Sequence, residues 1–471
     1  MKIRVNGMSF LLFIMSFISS LLILFKYNGE NEYILLPLIP FAFGIMVVLA
    51  SNVICDNIPS NYGITILVLL LTVRSVLIPA FLTLGDYKTT FGQSIADNMN
   101  TATLLTVYEI VAIFVTLILL NNRKEKYENK IKQNENRIKY NFQAMRFLIV
   151  ALMLLFAITF VIVPECKYFY LNLSNITDMN FANNEMSSVI DQYATDFVSK
   201  LILVLHNYLT KIVRFLLPLH IIFEIARKNN RKSGYFLSAI VASINIFIID
   251  GPIARGFVYA IILLLLSWII YEREKYIYKI TIIAVVGIVA YFSIRTVFTV
   301  IAGENVWTYL SRYIGSYFSS PANTAACLNM DMEASEKIKF MLYDYLESIP
   351  FGNTIFGLDS ISFQADFNAA NSSYGQIPTT IGASYLYFGA ILSPLYSILF
   401  TVIAFKAGIK ARKSNSIMRK GVYLLLAMYA AMALTMYYLK IVMVVIIGTI
   451  IPMLIICRLV EHKYSTSNRI Q

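Results

Sequence analysis

The stretch "TATLLTVYEIVAIFVTLILL" (Thr101–Leu120) is followed by "NNRKEKYENKIKQNENRIKYNFQAMR" (Asn121–Arg146) and then by "FLIVALMLLFAITFVIV" (Phe147–Val163). As a helix rising 1.5 Å per residue, the first segment matches a hydrocarbon layer about 30 Å thick. Backbone polar groups in lipid must be paired within their own segment, so such runs are spanning helices. The connector is dense in Lys and Arg, and such loops stay on the cytoplasmic side. This pattern of apolar run, basic connector and apolar run decides the fold class, and the rest of the chain repeats it.

Of 471 residues, 58% are hydrophobic and only 14% charged. The mean hydropathy is +0.67. Soluble domains have about 45–50% apolar and about 25% charged residues, so the expected class is an all-α polytopic membrane protein with the lipid bilayer as its first partner. The net charge of +12 comes from basic residues confined to short segments between apolar runs. They form no continuous stripe, so they act as topology signals and no nucleic-acid partner is expected. Cys55, Cys166, Cys327 and Cys457 are far apart and have no paired ligand spacing, which predicts free core thiols rather than a zinc site or a disulfide framework. Met1 to Phe25 has a basic start and an apolar body but no small-residue cleavage site, so it reads as the first span.

Runs of spanning length lie roughly at 8 to 25, 34 to 53, 63 to 84, 101 to 120, 147 to 163 and 201 to 224. Six more lie roughly at 235 to 250, 253 to 271, 280 to 301, 380 to 405, 421 to 438 and 441 to 459. About twelve spans put both termini on one side. The basic connectors "ARKNNRKSG", "YEREKYIYK" and "KAGIKARKSNSIMRK" share the face of Asn121–Arg146, which makes that face, and both termini, cytoplasmic. The opposite connectors are poor in Lys and Arg, and one runs from Gly303 to about Thr379. Three segments follow: 1–302 with nine spans, 303–379 as a large extracytoplasmic loop, and 380–471 with three spans and a cytoplasmic tail. Loops beyond about 12–15 residues are functional or disordered. This one carries Trp307, Tyr309, Tyr317, Phe340 and Tyr345, and "SEKIKFMLYDYLESIP" (Ser335–Pro350) has helical apolar spacing. A partly helical cap is expected.

Charges inside spans cost about 2.5–3.5 kcal/mol each on insertion scales and are functional candidates by default. On this topology Arg74, Arg255 and Arg295 fall toward the outer ends of their spans. Lys211 and Arg214 lie near the middle of the sixth, and Arg312 stands just inside the large loop. Any one of the arginines near an outer end is explained by snorkelling to headgroups. As a set they oppose the positive-inside rule, and the fixed fork of Arg matches phosphate oxygens. A polyanionic ligand entering from the outer leaflet explains them together, and a lipid diphosphate fits best. Glu109 in "TVYEIVAIF" is expected to pair with Arg74 or Arg214, while Asp250 ends its span beside Arg255. There is no phosphate-cradling loop, dinucleotide fingerprint, nucleophile elbow or convincing metal-ligand set, so no cofactor is expected.

Three further stretches carry a family likeness. In "DGPIARGFVYAIILLLL" (Asp250–Leu266) a tight turn with Arg255 and Gly256 opens an apolar helix. "SRYIGSYFSSPANTAACLN" (Ser311–Asn329) starts the large loop with an Arg and a Tyr ahead of Ser-Ser-Pro. "IPTTIGASYLYFGAILSPLYSIL" (Ile377–Leu399) returns the chain to the membrane with Pro378, Gly382 and Gly389. In these stretches and in topology the chain resembles the Wzy-type O-antigen and capsular polymerases. A longer Arg-to-Gly spacing found in that family is absent, because Arg295 and Gly303 stand too close.

The resemblance implies a GT-C-like membrane glycosyltransferase of the bacterial cytoplasmic (inner) membrane. Such an enzyme joins polyprenyl-diphosphate-linked oligosaccharide repeat units at the outer face, without metal or cofactor, and a chain-length regulator protein is an implied partner. Arg255, Arg312 and Asp250 become the expected catalytic set. Arg74, Arg214, Arg295 and Lys211 become the lipid-diphosphate contacts, with Tyr317 among the loop aromatics able to stack on a sugar. Leaving-group charge would be stabilised by preorganised guanidinium groups. The sequence singles out no base among Asp250, Glu109, His206 and the loop carboxylates. A flippase for the same lipid and the related O-antigen ligase are the rival readings. The large loop counts against the first, since transporters that alternate access have short connectors.

Overall fold

The computed structural model describes residues 7–27, 29, 31–58, 60–135, 138–169, 190, 193–227, 305–330, 332–356, 363–373 and 375–463. The expected seventh, eighth and ninth spans, with Asp250, Arg255 and Arg295, lie outside the described residues.

The described residues are helical nearly throughout. α1 (Gly7–Lys26) and α2 (Leu38–Leu49) pair, and α3 (Ser51–Asn57) continues α2 beyond a break at Ala50. α4 (Tyr62–Thr72), a π-helical turn (Val73–Leu77) and α5 (Ile78–Leu84) make one span. α6 (Met99–Asn121), α7 (Lys124–Glu135), α8 (Phe142–Ile162) and α9 (Phe197–Arg227) follow. The large loop holds α10 (Val306–Tyr317), α11 (Pro321–Leu328), α12 (Ala334–Ser348), α13 (Gly352–Phe356) and α14 (Phe363–Ala370). The chain ends with α15 (Thr380–Leu392), α16 (Leu395–Lys413), α17 (Ile417–Ala433), and α18 (Leu439–Val445), which runs through a π turn (Ile446–Ile450) into α19 (Ile451–Leu459).

Among the described residues, seven helices are long and apolar enough to cross a membrane, and α15 with α16 makes an eighth if taken as one span. The sequence pattern reads 380 to 405 as a single straight span. Instead, α15 and α16 meet at 108°. Gly389 inside α15 has φ +76°, a left-handed conformation that favours glycine, and Pro394 caps α16. Pro394 has no N–H to continue the α15 hydrogen-bond ladder, so α16 starts afresh after it.

The centre of the bundle is α16 packed along α17, α4 and α6. Close approach there depends on small residues, as in membrane helix pairs generally. A Cβ on Gly63 would lie 2.2 Å from the Ala404 carbonyl oxygen. Asn61 caps α4 by accepting from the Ile64 N–H, and it donates across to the Phe405 carbonyl at 3.0 Å.

The described basic connectors, around 121–146 and 406–420, meet at one end of this bundle. Lys124 donates to the Asp56 carbonyl at 2.7 Å, Lys413 pairs with Glu128 at 2.8 Å, and Arg419 with Glu461 at 3.4 Å. A short antiparallel ribbon of β1 (Ile138–Tyr140) and β2 (Glu461–Lys463) ties the connector after α6 to the segment after α19. Cys166, Cys327 and Cys457 are buried free thiols, and Cys55 is half-buried and free.

Candidate functional site

The large loop folds onto the end of the bundle away from the basic connectors, and its first two helices build a cleft. Asn305 caps α10 by accepting from the Trp307 N–H at 3.0 Å. α10 packs along α5, where Gly85 is needed because a Cβ there would come within 2.8 Å of the Trp307 carbonyl oxygen. After α10 the chain turns at Ser319, a non-glycine residue with φ +47°. Ser320 then caps α11, its hydroxyl accepting from the Asn323 N–H and donating to the Asn323 side chain at 2.7 Å.

Arg74 makes that turn tenable. It lies in the π turn of the third span, at 1% exposure. Its Nε donates to the Ser319 carbonyl at 2.9 Å and its Nη1 to the Leu434 carbonyl at 2.6 Å. Its Nη2 is 2.7 Å from Glu109 Oε2, and Glu109 Oε1 accepts from the Ser397 hydroxyl at 2.5 Å. One guanidinium therefore ties together α6, α16, the end of α17 and the start of the loop. An αL serine costs on the order of 1 kcal/mol and persists only where its surroundings hold it.

The cleft beside this turn is lined by Thr89 and Phe91, by Ser311, Arg312 and Ser316 of α10, and by Ser320 and Asn323 at the start of α11. It encloses about 250 Å³ of empty space, its open mouth included. Most of that space lies in the open mouth, and the enclosed part is about the size of one water molecule. Arg312 contributes a cation, while the Ser311, Thr89 and Ser320 hydroxyls donate to oxygens of Lys88, Gly92 and Asn323, and the α11 N-terminus, which opens with Pro321, is closed by the Ser320 cap. The guanidinium is the group there that suits an anion.

A second polar cluster lies under α12. Asp344 is 2% exposed and accepts from the Tyr387 hydroxyl of α15 at 2.8 Å. Tyr345 and Tyr396 share a hydroxyl contact of 2.7 Å, and Glu347 pairs with Lys440. Phe363 packs against Phe340, Tyr387 and Tyr438, with ring centroids 5.5 to 6.0 Å apart. Burial pushes the Asp344 carboxyl up to about 6, against the opposing pull of the Tyr387 hydrogen bond and the Lys440 charge. A carboxyl titrating near neutrality can both take and give a proton in the physiological range. Among the carboxylates left open by the sequence, Asp344 is the one whose surroundings distinguish it.

The other sequence candidates fall in different places. Arg74 and Arg312 converge, since Arg74 holds the residue next to Ser320 in the cleft wall. With its guanidinium turned to protein oxygens, Arg74 acts as a brace rather than as the diphosphate contact expected of it. Glu109 is its partner, as one of the two expected pairings had it. Lys211 and Arg214 are on α9, which packs on α8 and α17; Lys211 lies over the Tyr208 ring at 5.4 Å, and Arg214 is buried. His206 sits 2.7 Å from the Thr159 hydroxyl and is stacked on Phe156, a helix-packing role. Tyr317 is exposed at the end of α10. Sequence reasoning missed Thr89, Ser320 and Asn323. The Ser-Ser-Pro of the loop was the available signal, because a serine before Pro at the first helical position is a cap pattern. No family model, curated protein or solved structure matches the chain.

Proposed function

We propose that this chain is a membrane glycosyltransferase that joins polyprenyl-diphosphate-linked oligosaccharide repeat units at the outer face of a bacterial cytoplasmic membrane, with both termini cytoplasmic. In this reading the seven spanning helices, the bent α15–α16 pair and α17, with three more spans between α9 and α10, make a twelve-span, GT-C-like body. The observation that carries the proposal is the Arg312 cleft: a cation among polar side chains, brought together by a large loop on the end opposite the described basic connectors. The lipid diphosphate leaving group would sit there, and its developing negative charge would be stabilised by a fixed guanidinium in a poorly hydrated site. Arg255, placed by sequence at the first turn of its span, would be the second cation. A hydroxyl of the incoming repeat attacks the anomeric carbon, the bond to the diphosphate oxygen breaks, and the hydroxyl proton passes to a base. Asp250 and Asp344 are the candidates for that base.

The test is deletion of the gene followed by gel analysis of surface glycan. Collapse of a polymer ladder to single repeats supports the reading. Intact polymer held on its lipid carrier assigns the ligase reaction instead, and repeats trapped on the cytoplasmic side assign a flippase.

A further inference from the structure

Two helices of the large loop carry apolar stripes on their outer faces, unlike those of a cap surrounded by water. On α10, Trp307, Leu310, Ile314 and Tyr317 fall on one stripe at helical spacing. Trp307 is 41% and Tyr317 39% exposed, with Leu310 and Ile314 half-buried between them. The opposite face, which turns inward, carries Thr308, Ser311, Gly315 and Ser316 together with the fully buried Tyr309. Thr308 and Ser311 are buried, and the Ser311 hydroxyl donates to the Lys88 carbonyl at 2.9 Å.

An exposed apolar stripe recurs on α12. Ile338 is 58% and Leu342 49% exposed, with exposed Ile349 just past the helix end, whereas Phe340, Asp344 and Ser348 on the other side are buried. Exposed Ile355 and Phe356 of α13 extend this apolar surface. Water rewards the reverse arrangement, with apolar faces inward and polar faces outward. Large exposed apolar patches mark interaction sites.

We infer that α10 and α12–α13 are interfacial helices, lying in the headgroup layer of the leaflet that faces the large loop, with their apolar stripes in the acyl chains and their opposite faces turned to the protein. The occupant of this surface is the lipid bilayer itself. Three observations favour lipid over a protein partner. First, both helices are docked at the ends of spans: α10 on α5, with Phe81 and Trp307 rings 6.1 Å apart, and α12 through Glu347 to Lys440 at the start of α18. They therefore sit at the level where the bundle leaves the membrane. Second, Trp and Tyr close the two ends of the α10 stripe, the residues that anchor at membrane interfaces. Third, Lys337 and Lys339 flank the α12 stripe, with the Lys339 ammonium 5.5 Å from the Tyr343 ring, where a snorkelling lysine reaches lipid phosphates. Helices of this kind bury their apolar faces about 5–10 Å below the headgroups.

The placement does not rest on the glycosyltransferase reading, but it bears on it. With α10 in the interface, Arg312 on its inward side stands at headgroup depth. A lipid-borne diphosphate would then reach the cleft by lateral diffusion, without leaving the bilayer.

The chain has two tryptophans, Trp268 and Trp307. In the full-length Trp268→Phe protein in phosphatidylcholine vesicles, Trp307 emission reads the position of α10 directly. The expected result is loss of emission with spin-labelled lipid, greater for a label near the top of the acyl chain than for one near its middle, and no loss with aqueous iodide. Quenching by iodide and not by lipid would overturn the inference and place the loop in water. Quenching by neither would overturn it in favour of a surface covered by protein. The variant Ile338→Trp in a background of Trp268→Phe and Trp307→Phe puts the same question to α12 independently. The glycan phenotype of the deletion strain is unaffected by either outcome, so the two readings fail separately.

Discussion

Arg74 and Glu109 lie 2.7 Å apart with both side chains shut off from solvent, and this pair, 35 residues apart in sequence, holds the entrance of the large loop against the bundle. Removing one member of a buried pair leaves an uncompensated charge and costs about 3–5 kcal/mol. Arg74→Met does this and also strips the Ser319 and Leu434 carbonyls of their donor. Arg74→Met with Glu109→Leu leaves the two carbonyls and the Ser397 hydroxyl without their partners, at about 1–3 kcal/mol each, but no buried charge. The single variant is therefore expected to melt well below the double in detergent. A double variant that melts no higher than Arg74→Met would sink the account.

A steric prediction concerns the central helix crossing. A Cβ on Gly408 would sit 1.9 Å from Asn61 Oδ1 and 2.8 Å from the Gly63 nitrogen. Asn61 cannot yield, because it caps α4 and bonds Phe405. Gly408→Ala should cost about 1–3 kcal/mol, as overpacking generally does. Gly7→Ala, where nothing lies within 4 Å, should be neutral to within about 0.5 kcal/mol. Equal melting temperatures for the two variants would refute the close-packing argument.

How much of this was legible in advance follows from what each signal depends on. Span positions follow from local hydropathy, and the spanning helices from α1 to α9 fall where the apolar runs put them; α7, in the basic connector, does not. The Arg74–Glu109 pair was half legible: two costly intramembrane charges call for each other, but Arg214 was an equal candidate because one-dimensional order does not say which spans touch. The bend between α15 and α16 was written in Gly389 and Pro394, yet composition alone let 380 to 405 pass as one span. Asp344 was invisible as a special carboxylate. Its raised value comes from burial among elements distant in sequence, against the opposing pull of Tyr387 and Lys440, and no periodicity reports them.

The pH dependence of stability has a predicted sign at Asp344. Burial raises its folded-state value from 3.8 to about 6, so the folded protein holds that proton more tightly than the unfolded chain does. The stabilising contribution of this group is complete below pH 3.8, is lost as pH rises from there through about 6, and stays absent above. The loss amounts to roughly 3 kcal/mol, at 1.36 kcal/mol per unit. Asp344→Asn keeps an acceptor for the Tyr387 hydroxyl and carries no charge. It should match or exceed the unaltered protein in melting temperature above pH 6, and its melting temperature should change less between pH 4 and 6. A variant that keeps the original slope would show that the buried carboxyl is not its source.

The proposed chemistry is tested most directly at the two cations given catalytic roles. If Arg312 stabilises the departing diphosphate from the cleft, Arg312→Ala removes a preorganised donor, a change that costs about 100- to 1,000-fold in turnover in other enzymes. Arg255→Ala is expected to do the same from its own span. Arg312→Lys keeps the charge but loses the planar fork, and should retain part of the activity. The readout is the surface-glycan ladder, with protein abundance checked by blot so that misfolding is not mistaken for inactivity. Collapse toward single repeats in both alanine variants, at unchanged abundance, is the expected result. Full-length ladders in both would remove Arg312 and Arg255 from the mechanism, leaving the cleft to be explained by some other anion.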